Sequence, residues 1–172
     1  RRNLGIIGYG KIARVFHRKW MGFLPARVLI YDPLVSAKII NDAGGEKVDL
    51  NTLLKDADYI SIHAPLTPDT RHLIDTSALQ QMKTTAIIVN TSRGAIIDTV
   101  ALAQALKNGQ IFAAGIDVFE EEPLPTDHPL TQVPNVILTP HLAWYSKEST
   151  RDLQAGAAGE IKRVLSGKPP HN

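Results

Sequence analysis

Arg93 stands in the polar turn Asn90-Thr91-Ser92-Arg93-Gly94, directly after the apolar run Ala86-Ile87-Ile88-Val89. A guanidinium there can hold a carboxylate through two parallel hydrogen bonds and polarise a carbonyl beside it. A surface arginine paired with a nearby acid has the same sequence appearance, and spacing alone leaves both roles open. His141 follows a second apolar run, Val136-Ile137-Leu138, behind Pro140. An imidazole with an ordinary pKa of about 6.5 gives or takes a proton near neutral pH. The intervening loop carries three consecutive acids, Glu120, Glu121 and Glu122. A carboxylate beside the imidazole would favour its protonated form and fix its tautomer, but spacing does not choose among the three. Such a pair is a general acid for carbonyl reduction and a general base for alcohol oxidation. Asp117 ends the run 111–116, where it could accept from a nicotinamide carboxamide or be satisfied by local N–H groups. Trp144 could wall a substrate pocket, bury against a core or lie at a subunit contact. His17, His72, His128 and His171 read as surface or internally satisfied histidines.

A phosphate-binding pattern stands at the other end of the chain. Leu4-Gly5-Ile6-Ile7 reads as a short buried strand, and Gly8-Tyr9-Gly10-Lys11-Ile12-Ala13 follows at once with helical spacing beyond it. This is a G-x-G-x-x-A form of the dinucleotide fingerprint: Gly8 makes the turn, Gly10 admits a pyrophosphate, and small Ala13 lets helix and strand pack closely. The anion would sit on the N–H groups at the helix start, where the helix dipole also favours it. The next strand, 27–31, ends at Asp32, about 24 residues beyond Gly8 and close to the ~20 expected for an acid that binds the adenosine ribose. That acid argues for NAD over NADP. Arg14 and Lys38 are the cations in reach that could soften the preference.

These residues require a scaffold that brings distant strand ends together. Helices are expected at 34–41, 50–55, 78–82, 100–107 and 149–165, with Asp75, Thr76 or Ser77 capping the third and Asp98 opening the fourth. Strands are expected at 46–48, 59–62, 86–89, 111–116 and 136–138, the run 86–89 with the continuous apolarity of a strand buried on both faces. Loops are expected at 63–70 and 120–134. Strands alternate with helices throughout, which predicts an α/β Rossmann-type fold, doubly wound, with a mainly parallel sheet and helices on both faces. Gly8, Asp32, His63, Asn90, Asp117 and His141 all follow strands, so a parallel sheet places them on one ligand-binding edge.

The length of 172 residues suits one domain with a full core, and the net charge of +2 gives no general drive toward nucleic acid or an anionic membrane. No apolar run approaches the ~18 residues of a membrane span. Absence of Cys excludes disulfides and thiolate metal sites, and no acid or histidine cluster has metal-ligand spacing. Cytoplasm is the default location.

Taken together, the motifs resemble the cofactor-binding domain of the D-isomer-specific 2-hydroxyacid dehydrogenases. The carriers are the glycine turn, Tyr31-Asp32-Pro33, and the segment from His63-Ala64-Pro65 through Thr70-Arg71-His72-Leu73-Ile74. With them go Val89-Asn90-Thr91-Ser92-Arg93-Gly94 with Asp98, Ala114-Gly115-Ile116-Asp117 through Glu122-Pro123, and Leu138-Thr139-Pro140-His141. The resemblance implies Arg93 as the substrate-binding and carbonyl-polarising arginine, His141 as the acid/base, and Glu122, the acid before proline, as its partner. It also implies a cofactor site of Gly8, Gly10, Lys11, Ile12, Asp32, His63, Pro65, Thr70, Thr91, Arg93, Asp117 and His141. The implied cofactor is NAD, the substrate a small 2-oxo or 2-hydroxy acid, and the assembly a homodimer. Ala13 replaces the usual third glycine. Ala143-Trp144-Tyr145-Ser146 is similar to a subgroup that includes the C-terminal-binding-protein corepressors, where the tryptophan lines the substrate pocket. That likeness motivates a second reading, an NAD(H)-sensing interaction protein with incidental turnover. In the family a second, substrate-binding domain is built mainly from sequence before the glycine motif. The expectation is therefore a dinucleotide-binding domain at 1–148 and a C-terminal helix and tail at 149–172 that packs partly toward the missing domain.

Overall fold

The computed structural model describes residues 1–171 and divides into two compact units, Arg1–Pro140 and His141–Asn172. The first unit carries seven strands: β1 (Leu4–Ile7), β2 (Val28–Tyr31), β3 (Glu46–Lys47), β4 (Tyr59–Ile62), β5 (Ile87–Asn90), β6 (Ala113–Ile116) and β7 (Val136–Leu138). They form one sheet in the order β3-β2-β1-β4-β5-β6-β7, every neighbouring pair parallel. The order reverses between β1 and β4, and open α/β sheets bind ligands at such a switch point. Five helices connect the strands: α1 (Lys11–Trp20), α2 (Ala37–Asp42), α3 (Leu50–Asp56), α4 (Thr76–Gln81) and α5 (Thr99–Lys107).

Side chains of successive strand residues face opposite ways, and the core divides accordingly. Leu4 and Ile6 of β1 pack with Val28 and Ile30 of β2, Ala13 of α1 and Ile40 of α2 on one face. Ile7 and Leu29 join Leu53, Leu79, Leu102 and Leu106 from α3, α4 and α5 on the other. The first face is only half covered within this unit. Along β5 and β7 it leaves Val89 37% and Ile137 72% exposed. The expectation of two-sided burial for 86–89 is thus corrected: the strand ends at Asn90, and Ile88 is buried while Val89 points to the open half.

Side-chain caps set most helix starts. Asp49, Asp75 and Asp98 accept from Thr52, Ala78 and Ala101 backbone N–H groups at 2.9, 2.8 and 2.9 Å, each satisfying a donor that has no partner within the helix. Helix α2 begins three residues later than its apolar pattern suggests. Asp32 Oδ1 takes the N–H groups of Leu34 and Val35 first, at 2.8 and 3.0 Å, and Ser36 then caps the helix. Among the described residues, α1 is the one α-helix whose N-cap, Gly10, makes no side-chain capping bond.

The second unit is dominated by α6 (Lys147–Leu165). A capping box starts it two residues earlier than expected: Ser149 N–H donates to Ser146 Oγ at 3.0 Å, and Ser146 N–H to Ser149 Oγ at 2.8 Å. Its apolar stripe is open, with Leu153 63%, Ile161 62% and Leu165 82% exposed. No helix among the described residues is long and apolar enough to cross a membrane.

Candidate active site

The glycine turn is built by close approach on one side and left open on the other. Gly8 has φ +85°, and a Cβ there would lie 2.6 Å from Ala64 N. The turn is therefore pressed against His63-Ala64 at the end of β4, where His63 N–H donates to Ile7 O at 2.7 Å. Gly10 differs: a Cβ added there meets no protein atom within 4 Å. Nothing in the packing of the described residues demands glycine at that point. The open cradle, the uncapped start of α1 and the exposed Lys11 and Ile12 beside it fit the pyrophosphate of a dinucleotide. Ala13 is wholly buried against the strands.

Asp32 is locked onto this turn. Its Oδ2 accepts from Tyr9 N–H at 2.7 Å while Oδ1 holds Leu34 and Val35. Burial alone would raise its pKa, but these three backbone donors and the charge of Lys47 outweigh it and hold the carboxyl below its ordinary value. The two cations expected to reach this area already have partners, Arg14 on the same turn and Lys38 within α2. Arg14 Nε donates to Tyr9 O at 3.2 Å, and Lys38 pairs with Asp42 at 2.6 Å. Lys47 is the cation that acts on Asp32; its Nζ donates to Val35 O at 2.6 Å, and Lys47 and Asp32 line a cavity with Tyr31, Pro33, Val48 and Thr52.

His63 lies across the switch point. Its Nε2 is 2.9 Å from Ser61 Oγ, its ring centroid is 5.0 Å from that of Phe16, and burial lowers its pKa to about 4. It is a neutral group at pH 7. Thr70 Oγ1 donates to Pro65 O at 2.7 Å and accepts from Thr67 N–H at 2.8 Å, so the threonine shapes the loop that carries Pro65.

Arg93 is exposed at the end of a turn organised by Asn90. The Asn90 side chain is fully buried: Oδ1 accepts from Ser92 N–H at 3.0 Å and Ser92 Oγ at 2.9 Å, and Nδ2 donates to Arg93 O at 2.9 Å. Thr91 is exposed on the same turn. The next residue, Gly94, touches the backbone of the acidic segment so closely that a Cβ would fall 1.9 Å from Phe119 C and 2.0 Å from its O. Glu122 Oε1 in turn accepts from Phe119 N–H at 2.9 Å. The Arg93 turn and the Glu122 turn are thereby packed backbone to backbone. Glu120 is committed elsewhere, to His72 Nε2 at 2.7 Å and to Thr99. Asp117 is 3% exposed, accepts from Thr139 Oγ1, and donates its N–H to Asn90 O at 3.0 Å.

His141 and Trp144 belong to the second unit and share one turn. His141 has φ +55°, and its carbonyl accepts from Trp144 Nε1 at 2.9 Å. Trp144 is 49% exposed and meets Tyr145 edge-on at 5.5 Å between centroids. Within the first unit the ligand edge gathers Gly8, Gly10, Asp32, His63, Arg93, Asp117 and the Glu122 turn. Spacing placed Asn90 at this edge, but it did not reveal Lys47, the close contact at Gly94 or the part the buried Asn90 amide plays in the turn. Asn90 had a signal, the Asn-x-Ser pattern of an Asx turn; the other two act through contacts far apart in sequence.

Comparison with known proteins accords with this geometry. Residues 1–143 match the family "D-isomer specific 2-hydroxyacid dehydrogenase, NAD binding domain". Glyoxylate reductase of Korarchaeum cryptofilum is 43% identical over 171 residues, which cover 99% of this chain and 51% of that protein. D-3-phosphoglycerate dehydrogenase of Methanocaldococcus jannaschii is 43% identical over 172 residues, 99% of this chain and 32% of that protein. The structure of D-lactate dehydrogenase with NAD+ from Lactobacillus jensenii superposes with a TM-score of 0.89 at 32% identity, over 99% of this chain and 54% of that one. The chain thus spans about half the length or less of these relatives. It belongs to the D-isomer-specific 2-hydroxyacid dehydrogenase family and constitutes the NAD-binding domain of that family.

Proposed function

We propose that the full-length protein carrying this domain interconverts a small 2-oxo acid and a D-2-hydroxy acid. The observation that carries the reading is the backbone contact at Gly94, which fixes the Arg93 turn on the Glu122 turn at the NAD-binding edge. The residues of the edge fit NAD: the Gly10 cradle and the first turn of α1 with Lys11 and Ile12 for the pyrophosphate, Asp32 for the ribose, Pro65 and Thr70 in the adjoining loop. His63, Thr91 and Asp117 complete the cofactor wall. The NADH these residues hold would supply the hydride taken by the substrate carbonyl. Arg93 holds the substrate carboxylate and stabilises the negative charge that grows on the carbonyl oxygen. His141 is assigned the delivery of a proton to that oxygen, Glu122 the role of its acidic partner, and Trp144 that of a substrate-pocket residue.

The remaining length of the relatives is assigned to a substrate-binding domain, toward which the open stripe of α6 packs. The reading includes a homodimer and a cytoplasmic location. Ala143-Trp144-Tyr145-Ser146 supports the finer placement beside corepressor-like members, in which NADH occupancy would also govern association. The test is a screen of small 2-oxo acids, glyoxylate first, with NADH and the full-length protein, run beside NADH-dependent sizing. The expected result is NADH oxidation with a D-configured product wherever the product is chiral. NADH binding without turnover of any 2-oxo acid would overturn the enzymatic reading.

A further inference from the structure

Glu120 has no part in the chemistry assigned above, yet its carboxylate ties its own turn to two other segments. Oε2 accepts from His72 Nε2 at 2.7 Å and lies 3.6 Å from Arg71 Nη2, both in the loop after β4. Oε1 accepts from Thr99 at the start of α5, from its N–H at 3.3 Å and from its hydroxyl at 3.1 Å. The direction of the remaining bonds follows from the donors available. His128 Nδ1 accepts from Leu130 N–H at 3.1 Å, so in the neutral ring Nε2 carries the proton and donates to Thr99 Oγ1, 3.2 Å away. The single Thr99 hydroxyl proton is then free to point at Glu120. Leu130, His128, Thr99 and Glu120 form a one-directional chain of donors that ends on the carboxylate, and His72 reaches the same carboxylate from the opposite side.

The segments tied in this way are those that carry the site. His72 N–H also donates to Ala95 O at 2.8 Å, beside Gly94. Gly94 rests on the Phe119–Glu120 peptide, and Glu122 caps Phe119 N–H. We infer that Glu120 is a positioning residue: its carboxylate clamps the 71–74 loop, the 94–99 turn and the 119–122 turn, and so holds Arg93 and Glu122 at a fixed separation. The inference rests on the functional reading above for its catalytic consequence, though not for the clamp itself. The side chain is 27% exposed, and the donors outweigh the effect of burial and lower its pKa, so the clamp is ionised at neutral pH.

The test compares Glu120→Ala and Glu120→Gln in the full-length protein by turnover of a 2-oxo acid, NADH titration and amide hydrogen exchange. A displacement of about 1 Å in reacting groups lowers rate about 100-fold, so Glu120→Ala should lose between about 10-fold and about 100-fold in kcat with NADH affinity within about two-fold. Gln keeps a carbonyl for Thr99 and an amide for the imidazole, and should recover most of the loss. Amides in 94–99 and 119–122 should exchange faster together in the Ala variant, while those in 8–13 stay unchanged. Normal kcat in Glu120→Ala, or equal losses in kcat and NADH affinity, would overturn the clamp. If the wild-type protein reduces no 2-oxo acid, the functional reading fails on its own. Hydrogen exchange then decides the clamp: joint loosening reversed by Gln upholds it, and unchanged exchange overturns it. Should Glu120→Ala not fold, His72→Ala removes one donor from the same carboxylate, His72→Gln restores one, and the pair carries the same comparison.

Discussion

Gly94 and Gly10 both stand at the ligand edge, and their substitution by alanine should separate packing from binding. At Gly94 the new Cβ would lie 1.9 Å from Phe119 C, where ordinary contact begins near 3.4 Å, so the two backbones must part by about 1.5 Å. Both sides of the contact are main chain, and Gly94 and Phe119 are buried, so no flexible side chain can yield. Overpacking costs about 1–3 kcal/mol and occasionally more; this site belongs at the upper end, about 3 kcal/mol. At ~2–4 °C per kcal/mol for a domain of this size, Tm should fall by roughly 6–12 °C. Gly10 is extended, with φ −78° and ψ −166°, and its Cβ would meet no protein atom. Gly10→Ala should leave Tm within ~2 °C, since surface changes away from special features stay near ~0.5 kcal/mol, yet weaken NADH by filling the space kept for the pyrophosphate. Differential scanning calorimetry and NADH fluorescence titration read the two effects. A Gly94→Ala protein as stable as wild type would refute the packing argument. A Gly10→Ala protein that binds NADH normally would refute the cradle.

Three further outcomes are expected. His63 has a folded-state pKa of about 4 against ~6.5 unfolded, so the unfolded chain takes up its proton first as pH falls. Its contribution to stability is present above ~6.5 and is lost progressively down to about 4, at most ~3 kcal/mol; urea unfolding at pH 7 and 4.5 should show this loss, and a His63→Asn variant with the same pH slope would exclude His63 as its source. Asp32→Ala removes the acceptor for Tyr9 and the proposed ribose ligand, and should reduce the NADH-over-NADPH preference by ~10-fold, the scale of one hydrogen bond to a charged group. Adding Lys47→Ala should take back part of any NADPH gain, and an unchanged cofactor ratio in both variants would remove Asp32 from its role. His141→Ala in the full-length protein should lower kcat by ~100-fold to ~10,000-fold, the usual range for a general acid, with NADH affinity unaltered; near-normal turnover would assign the proton to another group.

The first thirty residues were legible because every signal in them is local. An apolar strand, a glycine turn, a helix with small Ala13 facing inward and a second strand each follow from residues a few positions apart. Caps were legible for the same reason: Asp98 lies next to the helix it starts. The failures have long-range causes. The pattern at 34–41 reads as one helix, but Asp32 must hold Tyr9 from 23 positions away and takes Leu34 and Val35 as further donors, which delays α2. Val89 looks like a doubly buried residue because its neighbours are apolar; whether a helix covers its face depends on segments that sequence periodicity does not place. The choice among Glu120, Glu121 and Glu122 was open on spacing because Glu120 is claimed by partners 48 and 21 positions away. Family resemblance implies Glu122, and the bonds of Glu120 to His72 and Thr99 give that acid other work.

Asp32 shows how such long-range bonds prepare a site for a ligand. An ionised carboxylate has about four acceptor positions, and three backbone donors are already on it in this structure. Those donors keep the charge in place at neutral pH and leave the side chain little rotational freedom. A ribose hydroxyl arriving there need not order the carboxylate, and the entropy of fixing it has been spent in folding rather than in binding. The bond to Tyr9 also joins the proposed ribose ligand to the glycine turn, so movement of either displaces the other. A loose acid at the end of β2 could discriminate charge against a 2′-phosphate, but it could not hold the ribose in register with the pyrophosphate cradle at Gly10. The three-way attachment of Asp32 would supply that register to the proposed ribose ligand, and it makes the turn and the acid one bonded unit rather than two motifs at a customary spacing.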